Sequence, residues 1–351
     1  MRVLVTGVSG LIGSNVAAAA AQQSWDVLGC FRDEAVDLEG VQSVGVDMAD
    51  RKGCVEIAME FEPDVVVHAA GGVALSRFEH EPYIAQLDYV GAEHTLAAAR
   101  AVRARYVLVS CDWVHSGYRP AGLRFSESDL PDPVNAYGRS KLACEEATMR
   151  SNVNWLITRP SDVYGVNVSR PVDGNAHLSL AHLPHAHPRD AHSPHAHQSE
   201  ARDRHVWEHS GTALRFVRRL REHNALPTPT GLQRSPTYAW DYAQRVCELV
   251  AQGCEGVYNM GGPVSLGRHE WLELLAGAFG CSPELVRDGT NAAFLQACGE
   301  DPHLKLPANT ALSDEKARAA IGCAAVAPRR GVGLMREQLR RTLKPVRLRA
   351  R

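Results

Sequence analysis

The sequence predicts an α/β fold in which a doubly wound parallel sheet is followed by a smaller C-terminal α/β substrate lobe. Within residues 1–165, short runs rich in Val, Ile and Leu alternate with helical stretches. Such unbroken apolar strands are typical of a parallel sheet that is buried on both faces. Right-handed crossovers between the strands then place helices on both sides of the sheet.

The elements of this first domain follow one another regularly. The apolar strand RVLVT comes first, and a Gly-rich turn leads from it into an Ala-rich helix at residues 14–22. The remaining predicted elements are, in chain order, the strand DVLGCF, the strand VQSVGVD, a helix at 51–61, the strand DVVVHAAG, a helix at 83–102, the strand RYVLVS, a helix at 137–150 and the strand NWLITRP.

Residues 166–210 interrupt this pattern and are predicted to be a flexible His-rich insertion. Nine histidines lie between positions 177 and 209, the tetrapeptide PHAH occurs twice, and no periodicity is visible. Paired histidines can hold Ni²⁺ or Zn²⁺ loosely, but no rigid scaffold is indicated, so no metal site is predicted.

Order returns in residues 211–345, which we interpret as a substrate-binding lobe with some exchange of chain between the two lobes. Its predicted elements are helices at 212–222, at TYAWDYAQRVCELV, at RHEWLELLAGAFG, at 313–321 and at 333–343, and the strand GVYNMG. Residues 346–351 form a basic tail.

Composition excludes several classes of protein. The 351-residue chain has a formal charge of −2, so it has no general attraction for nucleic acid or acidic membranes. No apolar stretch approaches the length of a membrane span, and the N-terminal residues do not resemble a secretory signal. The nine scattered cysteines include no Cys-x-x-Cys pair, which argues against a disulfide framework and favours a cytoplasmic protein with reduced thiols.

The turn TGVSGLIG, between the first strand and the first helix, predicts a Rossmann-like dinucleotide site. Gly7 permits a tight turn, Gly10 lets the backbone approach a pyrophosphate, and Gly13 lets the helix pack closely on the strand. The start of the helix then presents free N–H groups to the phosphates. The predicted cofactor contacts of this turn are Gly7, Ser9, Gly10, Leu11, Ile12 and Gly13.

The end of the second strand predicts which cofactor is bound. An acid there would bind the 2′-hydroxyl of NAD. The strand instead ends in Arg32, which can pair with a 2′-phosphate, so we predict that NADP is preferred over NAD; an exposed arginine with no ligand is the alternative. The ends of the next two strands extend the predicted cofactor site with Asp47, Met48, Ala69, Ala70 and Gly71. The other predicted cofactor contacts are Tyr137, Lys141, which can hold the nicotinamide ribose, Ser161 and Val163.

Tyr137 and Lys141 form a candidate catalytic pair. Their spacing of four places the phenol and the ammonium on one face of a helix. An adjacent cation favours the phenolate, which would bring the tyrosine pKa from about 10 toward working pH. The preceding strand ends in Ser110-Cys111-Asp112, a polar cluster of the kind that carries chemistry in open α/β sheets.

The motifs TGVSGLIG and YGRSK together resemble those of the extended short-chain dehydrogenase/reductases. More narrowly, the stretches YVLVSCDWVHSG, DPVNAYGRSKLACEE, ITRPSDVYG, RSPTYAWDYA and LPANTALSDEKARAAIG resemble the dTDP-4-dehydrorhamnose reductase-like, sugar nucleotide-binding subfamily. The resemblance covers nearly all of the chain outside 170–209. It implies hydride transfer from NAD(P)H to a ketone, with Tyr137 as the proton donor and Lys141 as its partner.

Two positions depart from the family pattern. The family places a Ser or Thr hydroxyl where Cys111 stands, and a thiol is a weaker hydrogen-bonding group, so we expect reduced activity. A nucleophilic role for Cys111 is an alternative, but no histidine partner is implied. The family's asparagine in the fourth helix, which supports a proton-relay water, is replaced by Asp88.

The resemblance also implies the neighbours of the substrate. Ser161 and Val163 should approach the nicotinamide, and Arg234 could pair with a diphosphate or be a surface charge. The predicted substrate contacts are Asp112, Trp113, Val114, Tyr164 and Arg234.

The leading hypothesis is an NADPH-dependent reductase of a 4-keto-6-deoxy nucleotide sugar. One alternative is a non-catalytic, NADP-binding regulatory subunit similar to the beta subunit of methionine adenosyltransferase. Another is a nucleotide-sugar epimerase or dehydratase, which usually keeps a tightly held NAD that Arg32 disfavours. A nucleotide-sugar substrate is the expected partner; a homodimer is compatible with the sequence, which does not decide the oligomeric state.

Overall fold

The computed structural model describes residues 1–71, 75–172 and 210–342. The described strands are β1 (Arg2–Thr6), β2 (Asp26–Phe31), β3 (Val36–Asp37), β4 (Val41–Gly45), β5 (Val65–His68), β6 (Arg105–Val109), β7 (Trp155–Arg159), β8 (Val163–Tyr164), β9 (Arg170–Pro171), β10 (Leu226–Pro229), β11 (Gln233–Arg234), β12 (Thr237–Tyr238), β13 (Gly256–Asn259), β14 (Leu266–Gly267) and β15 (Val286–Gly289).

The described helices connect these strands or pack against them. They are α1 (Leu11–Gln22), α2 (Arg51–Phe61), α3 (Leu75–His80), α4 (Pro82–Ala101), α5 (Ala136–Met149), α6 (Thr212–Arg221), α7 (Ala239–Ala251), α8 (Arg268–Phe279), α9 (Asn291–Ala297), α10 (Glu315–Ile321) and α11 (Pro328–Thr342).

The central sheet has seven parallel strands in the order β13-β7-β6-β5-β1-β2-β4. This confirms the predicted doubly wound, Rossmann-like α/β fold. From β1 the chain builds outward first through β2 and β4, then returns to build the other half through β5, β6 and β7. Ligands of open α/β sheets bind at such a reversal, outside the carboxyl ends of the strands. The site is therefore expected where the loops after β1 and β5 meet.

Helices cover both faces of the sheet because successive strand residues point to opposite sides. In β1, Val3 and Val5 belong to a core that also contains buried residues of α1 and α7. Leu4, between them, belongs to a second core with buried residues of α2 and α4. The sheet is thus enclosed on both faces, and its functional groups are confined to the loops at its edge.

The second lobe has its own core, formed by α6, α8, α9 and α11 around the buried Trp271. The chain between these helices returns to the first lobe. Helix α7 packs against α1, and β13 joins the central sheet beside β7. The chain therefore passes between the two lobes more than once, and no single position in the sequence separates them.

The predicted His-rich insertion lies mostly outside the described residues, and the basic tail lies wholly outside them. At the described edges of the insertion, the Asn167 N–H donates to Ser210 Oγ at 2.7 Å, so the two ends of this segment lie side by side. None of the helices in the described ranges combines the length and the apolar character needed to cross a membrane. All nine cysteines are free thiols.

Candidate functional site

The loop after β1 is compact at two glycines. Gly7 has φ +73°, and a Cβ there would lie 2.8 Å from the Ala70 Cα. A Cβ at Gly13 would lie 2.2 Å from the Gly7 carbonyl oxygen, so any side chain at this position would push helix α1 away from the loop. Only glycine lets β1, α1 and the loop after β5 approach this closely.

The start of α1 is suited to bind an anion. Gly10 is the N-cap, and no side chain caps it. The first amides of a helix have no partner within the helix, and they attract phosphate oxygens. Free amides at the start of a helix, beside a loop that Gly7 and Gly13 keep close to the backbone, are the donors that the pyrophosphate of a dinucleotide requires. Cofactor contacts by Gly7, Ser9, Gly10, Leu11, Ile12 and Gly13 remain predictions.

The end of β5 is fastened beside this loop. Thr6 Oγ1 accepts hydrogen bonds from the Ala69 and Ala70 amides, both at 3.2 Å, and lies 3.0 Å from His68 Nδ1. Ala69 and Ala70 therefore lie at the reversal of strand order, as the cofactor prediction requires. His68 was not predicted as part of the site; burial is the main reason that its pKa falls to about 4, so the ring is neutral near pH 7.

The positions predicted to meet the adenosine end lie near the surface. Arg32 is at the end of β2, and its Nε and Nη2 each lie 2.7 Å from the Asp33 carboxylate. Both side chains are exposed, and an ion pair of this kind contributes little, so it does not tie the guanidinium down. Asp47 accepts a hydrogen bond from the Ala49 amide at 2.9 Å, and Met48 beside it is half-buried.

Tyr137 and Lys141 lie in the first two turns of α5. Asn135 caps this helix by accepting from the Gly138 amide at 2.9 Å. The edges of Phe78 and Trp113 pack against Tyr137, with ring centroids 5.1 Å and 5.8 Å away. Phe78 belongs to α3 and was not predicted to be near the site.

The Lys141 ammonium is paired with a carboxylate. Its Nζ lies 2.9 Å from Asp88 Oδ1, and Ser140 Oγ donates to Asp88 Oδ2 at 2.5 Å. The side chains of Lys141 and Asp88 are only 8% and 1% exposed. Burial is the largest single influence and opposes both charges, but the attraction within the pair, together with the Ser140 hydrogen bond to Asp88 and the neighbouring thiols beside Lys141, outweighs it: the pKa of Asp88 is lowered and that of Lys141 is raised. The two residues thus form a buried ion pair.

The expectation that Lys141 would lower the pKa of Tyr137 is not met. Burial raises that pKa well above its ordinary value, and Cys111 and Asp88 raise it further. Lys141 Nζ is 5.8 Å from the centroid of the Tyr137 ring, but the Asp88 carboxylate compensates its charge. At neutral pH Tyr137 is therefore a protonated phenol.

Cys111 is near the phenol, since it is among the groups that raise the pKa of Tyr137. Burial and the adjacent Asp112 raise the pKa of Cys111 to about 12, so the group is a thiol and not a nucleophilic thiolate. Ser110 cannot take its place, because the Ser110 hydroxyl is directed to Glu145, to which it donates at 2.5 Å. Any hydrogen bond that this position offers to a substrate must therefore come from the Cys111 thiol.

Asp112 is enclosed in a polar network that joins the two lobes. It accepts hydrogen bonds from Ser161 Oγ at 3.0 Å and from Thr310 Oγ1, and it lies 3.7 Å from Arg234 Nε. Burial raises the pKa of Asp112 to about 6, although Arg234 and the two hydroxyls oppose this shift. These partners occupy much of the hydrogen-bonding capacity of the Asp112 carboxylate, so little of that capacity remains for a substrate.

Arg234 is neither a surface charge nor a free donor. Its side chain is 3% exposed, and it donates to the carbonyl oxygens of Gln233 (2.7 Å), Pro307 (2.8 Å) and Ala308 (2.6 Å). The guanidinium donates its hydrogen bonds to groups of the protein, so the prediction that it pairs with a diphosphate is corrected. Arg234 is instead a partner of Asp112.

Other predicted contacts also lie away from the cleft. Tyr164 is fully buried in the second lobe, with ring centroids 5.7 Å from Tyr238 and 4.8 Å from Trp271, so its prediction as a substrate contact is corrected. Val114 is likewise fully buried. Of the remaining positions, Trp113 is half-buried and packs against Tyr137.

Comparison with known proteins identifies a family. Residues 1–176 match the family described as RmlD substrate binding domain. Methionine adenosyltransferase 2 subunit beta from Rattus norvegicus is 33% identical over 166 residues, covering 47% of each chain. The dTDP-4-dehydrorhamnose reductase of Salmonella typhimurium is 33% identical over 165 residues, covering 47% of this chain and 52% of its own. The match thus spans about half the length of these relatives.

Solved structures share the fold across almost the whole chain. The dTDP-4-dehydrorhamnose reductase from Bacillus anthracis, in complex with NADP, has a TM-score of 0.71 at 18% identity and covers 96% of this chain and 99% of its own. The UDP-glucose 4-epimerase of Thermus thermophilus, in complex with NAD, has a TM-score of 0.74 at 22% identity and covers 97% and 99%. At these identities, the comparison establishes the architecture.

Proposed function

This chain belongs to the RmlD substrate binding domain family of extended short-chain dehydrogenase/reductases, and on that premise we propose that it reduces a keto group on a nucleotide-linked deoxysugar with NADPH. The observation that carries the proposal is the position of Tyr137. Its phenol lies beside Cys111 and one helical turn from Lys141, where α5 meets the edge of the sheet that carries the glycine loop. This is where a nicotinamide and a ketone would meet.

We assign a separate role in such a reduction to each residue of the site. When bound, the reduced nicotinamide supplies a hydride to the carbonyl carbon. Tyr137, held as a phenol, donates its proton to the carbonyl oxygen. The Cys111 thiol offers that oxygen a weak hydrogen bond, and Trp113 packs against the phenol and limits its motion. Because the pKa of Tyr137 is far above neutral, we expect proton transfer to be slow.

A preference for NADPH over NADH is part of this proposal, and Arg32 supports it. The guanidinium lies at the end of β2 and is held only by an exposed pair with Asp33. We expect Arg32→Gln to weaken NADPH binding by about 10- to 150-fold and to leave NADH binding within about twofold, since one charge-assisted contact contributes on the order of 1.5–3 kcal/mol. Fluorescence titration of both cofactors measures this. Equal losses for NADPH and NADH would contradict the assignment of Arg32.

NADPH binding followed by turnover tests the whole proposal. We expect saturable binding, and oxidation of NADPH when a 4-keto-6-deoxy nucleotide sugar is added. Gly13→Ala is the matched negative control, because its Cβ would meet the Gly7 carbonyl oxygen and distort the phosphate cradle. The proposal fails if the wild type and Gly13→Ala are both folded and bind NADPH equally. It also fails if neither protein oxidises NADPH with any such ketone.

A second candidate is a cofactor-binding regulatory subunit of another enzyme. Methionine adenosyltransferase 2 subunit beta proteins from several vertebrates match at 30–34% identity, and the thiol at position 111 together with the raised pKa of Tyr137 weakens the catalytic set. This candidate predicts NADPH binding without oxidation, and a change in the activity of a co-purifying enzyme when NADPH is added.

A further inference from the structure

The ion pair of Lys141 with Asp88 is the basis of an inference that deepens the proposed function and rests on it. Asp88 comes from α4 and Lys141 from α5, and their charged atoms are 2.9 Å apart. Ser140 Oγ fixes the other carboxylate oxygen of Asp88 at 2.5 Å. A Cβ at Gly71 would lie 2.9 Å from Lys141 Nζ and 3.0 Å from Asp88 Oδ1, so the end of β5 closes over the pair. The pair is rigid and shielded from water.

The described residues around the pair include neutral groups that do not compensate its charges. His68 on β5 is neutral near pH 7, and Cys111 beside Tyr137 and Cys144 on α5 are protonated thiols. The groups that influence the electrostatics of the pair or of Tyr137 are His68, Tyr106, Cys111, Asp112 and Cys144. Asp112 is opposed by its own partner, Arg234. Lys141, whose Nζ lies 5.8 Å from the centroid of the Tyr137 ring, is the cation beside the phenol, and the Asp88 carboxylate compensates its charge.

We infer that Asp88 is a positioning residue that neutralises Lys141 and thereby withholds from Tyr137 the positive charge that would ease loss of its proton. An asparagine of the same shape would accept from Lys141 through Oδ1 and donate through Nδ2 to Ser140 Oγ, but it would leave the ammonium uncompensated. The residue at position 88 thus sets how readily Tyr137 ionises, without touching substrate or the phenol.

Ionisation of the Tyr137 phenol, read by near-ultraviolet absorbance, tests this inference without any substrate. Each protein is titrated beside its Tyr137→Phe counterpart, so that the difference isolates one of nine tyrosines. We expect the Tyr137 phenolate to appear in D88N at a pH at least about one unit lower than in the wild type, as a neighbouring opposite charge produces. K141M should shift it to higher pH, and D88N/K141M, in which the local charge again sums to zero, should return close to the wild type.

The outcomes separate this inference from the proposed function. If folded D88N and wild type ionise Tyr137 at the same pH, Asp88 does not neutralise Lys141 and the inference is overturned. If D88N does not fold, the wild type against K141M tests the same compensation: a Tyr137 phenolate that appears at the same pH in both proteins would overturn the inference. If the Tyr137 phenolate appears at lower pH in D88N but no ketone is turned over, the inference is supported and the reductase proposal fails. If a ketone is turned over but that pH does not change, the reductase proposal is supported and the inference fails.

Discussion

Tyr137→Phe is expected to lower kcat for ketone reduction by about 10²- to 10⁴-fold, the usual contribution of a positioned general acid. The substitution removes one oxygen atom, and the ring can keep its edge contacts with Phe78 and Trp113. NADPH affinity should therefore stay within about twofold of the wild type. Steady-state kinetics with the nucleotide-sugar ketone, together with an NADPH titration, measure both quantities.

Tyr118→Phe is the matched control for this experiment. Tyr118 is 86% exposed and makes no contact with the site, so its variant should retain wild-type kinetics. If Tyr137→Phe keeps its kcat, the proton comes from another group and the assignment of α5 as the catalytic helix is wrong. If it instead loses NADPH affinity with kcat unchanged, Tyr137 acts in cofactor binding.

Cys111→Thr is expected to raise kcat, by up to about 10²- to 10³-fold, because a hydroxyl is a stronger hydrogen-bond donor than a thiol. Cys111 is buried near Tyr137, and the account of the reduction given above has both groups meet the same carbonyl oxygen, so we expect the new hydroxyl to meet it too. The gain should appear in kcat and kcat/KM together, since a bond that strengthens in the transition state affects both.

Cys111→Ala separates the hydroxyl from the mere loss of sulfur. The alanine variant offers no donor, so its kcat should not exceed that of the wild type. A similar gain in the alanine and threonine variants would mean that the thiol obstructs the site, and the hydrogen-bonding account would be wrong. No gain in the threonine variant, with NADPH binding intact, would favour the regulatory-subunit candidate.

The fold could be predicted because local pattern and tertiary environment agree. The β1–α1 turn, the strands β5, β6 and β7, and the long helices each show an apolar pattern strong enough to define them. The helix prediction at 137–150 was correct to within a residue at each end. The short helices α3 and α9, of six and seven residues, carry too few turns to show a period, and both were missed.

The site could be predicted only as far as backbone position determines it. The glycine loop and the helix face of Tyr137 and Lys141 follow from spacing along the chain. The partners of the charged groups do not, because they come from distant segments. Asp88 lies 53 residues from Lys141, and the carbonyl groups that hold Arg234 include two that are more than 70 residues away.

Tyr164 shows the same limit for apolar packing. Its place after β7 suggested a residue facing the cleft, but its ring packs in the core of the second lobe against Trp271, 107 residues further along the chain. A strand end tells which edge of the sheet a residue occupies. It does not tell whether the side chain turns toward the ligand or into a neighbouring lobe.

A single-turnover experiment shows whether the protein reduces such a ketone: excess protein loaded with one equivalent of NADPH is mixed with a 4-keto-6-deoxy nucleotide sugar, and nicotinamide absorbance is followed. We expect the absorbance to fall to completion as an equal amount of the alcohol forms, and Tyr137→Phe to slow this fall by about 10²-fold or more. Bound NADPH whose absorbance does not change, in protein that is folded and saturated with ketone, would contradict the reductase proposal.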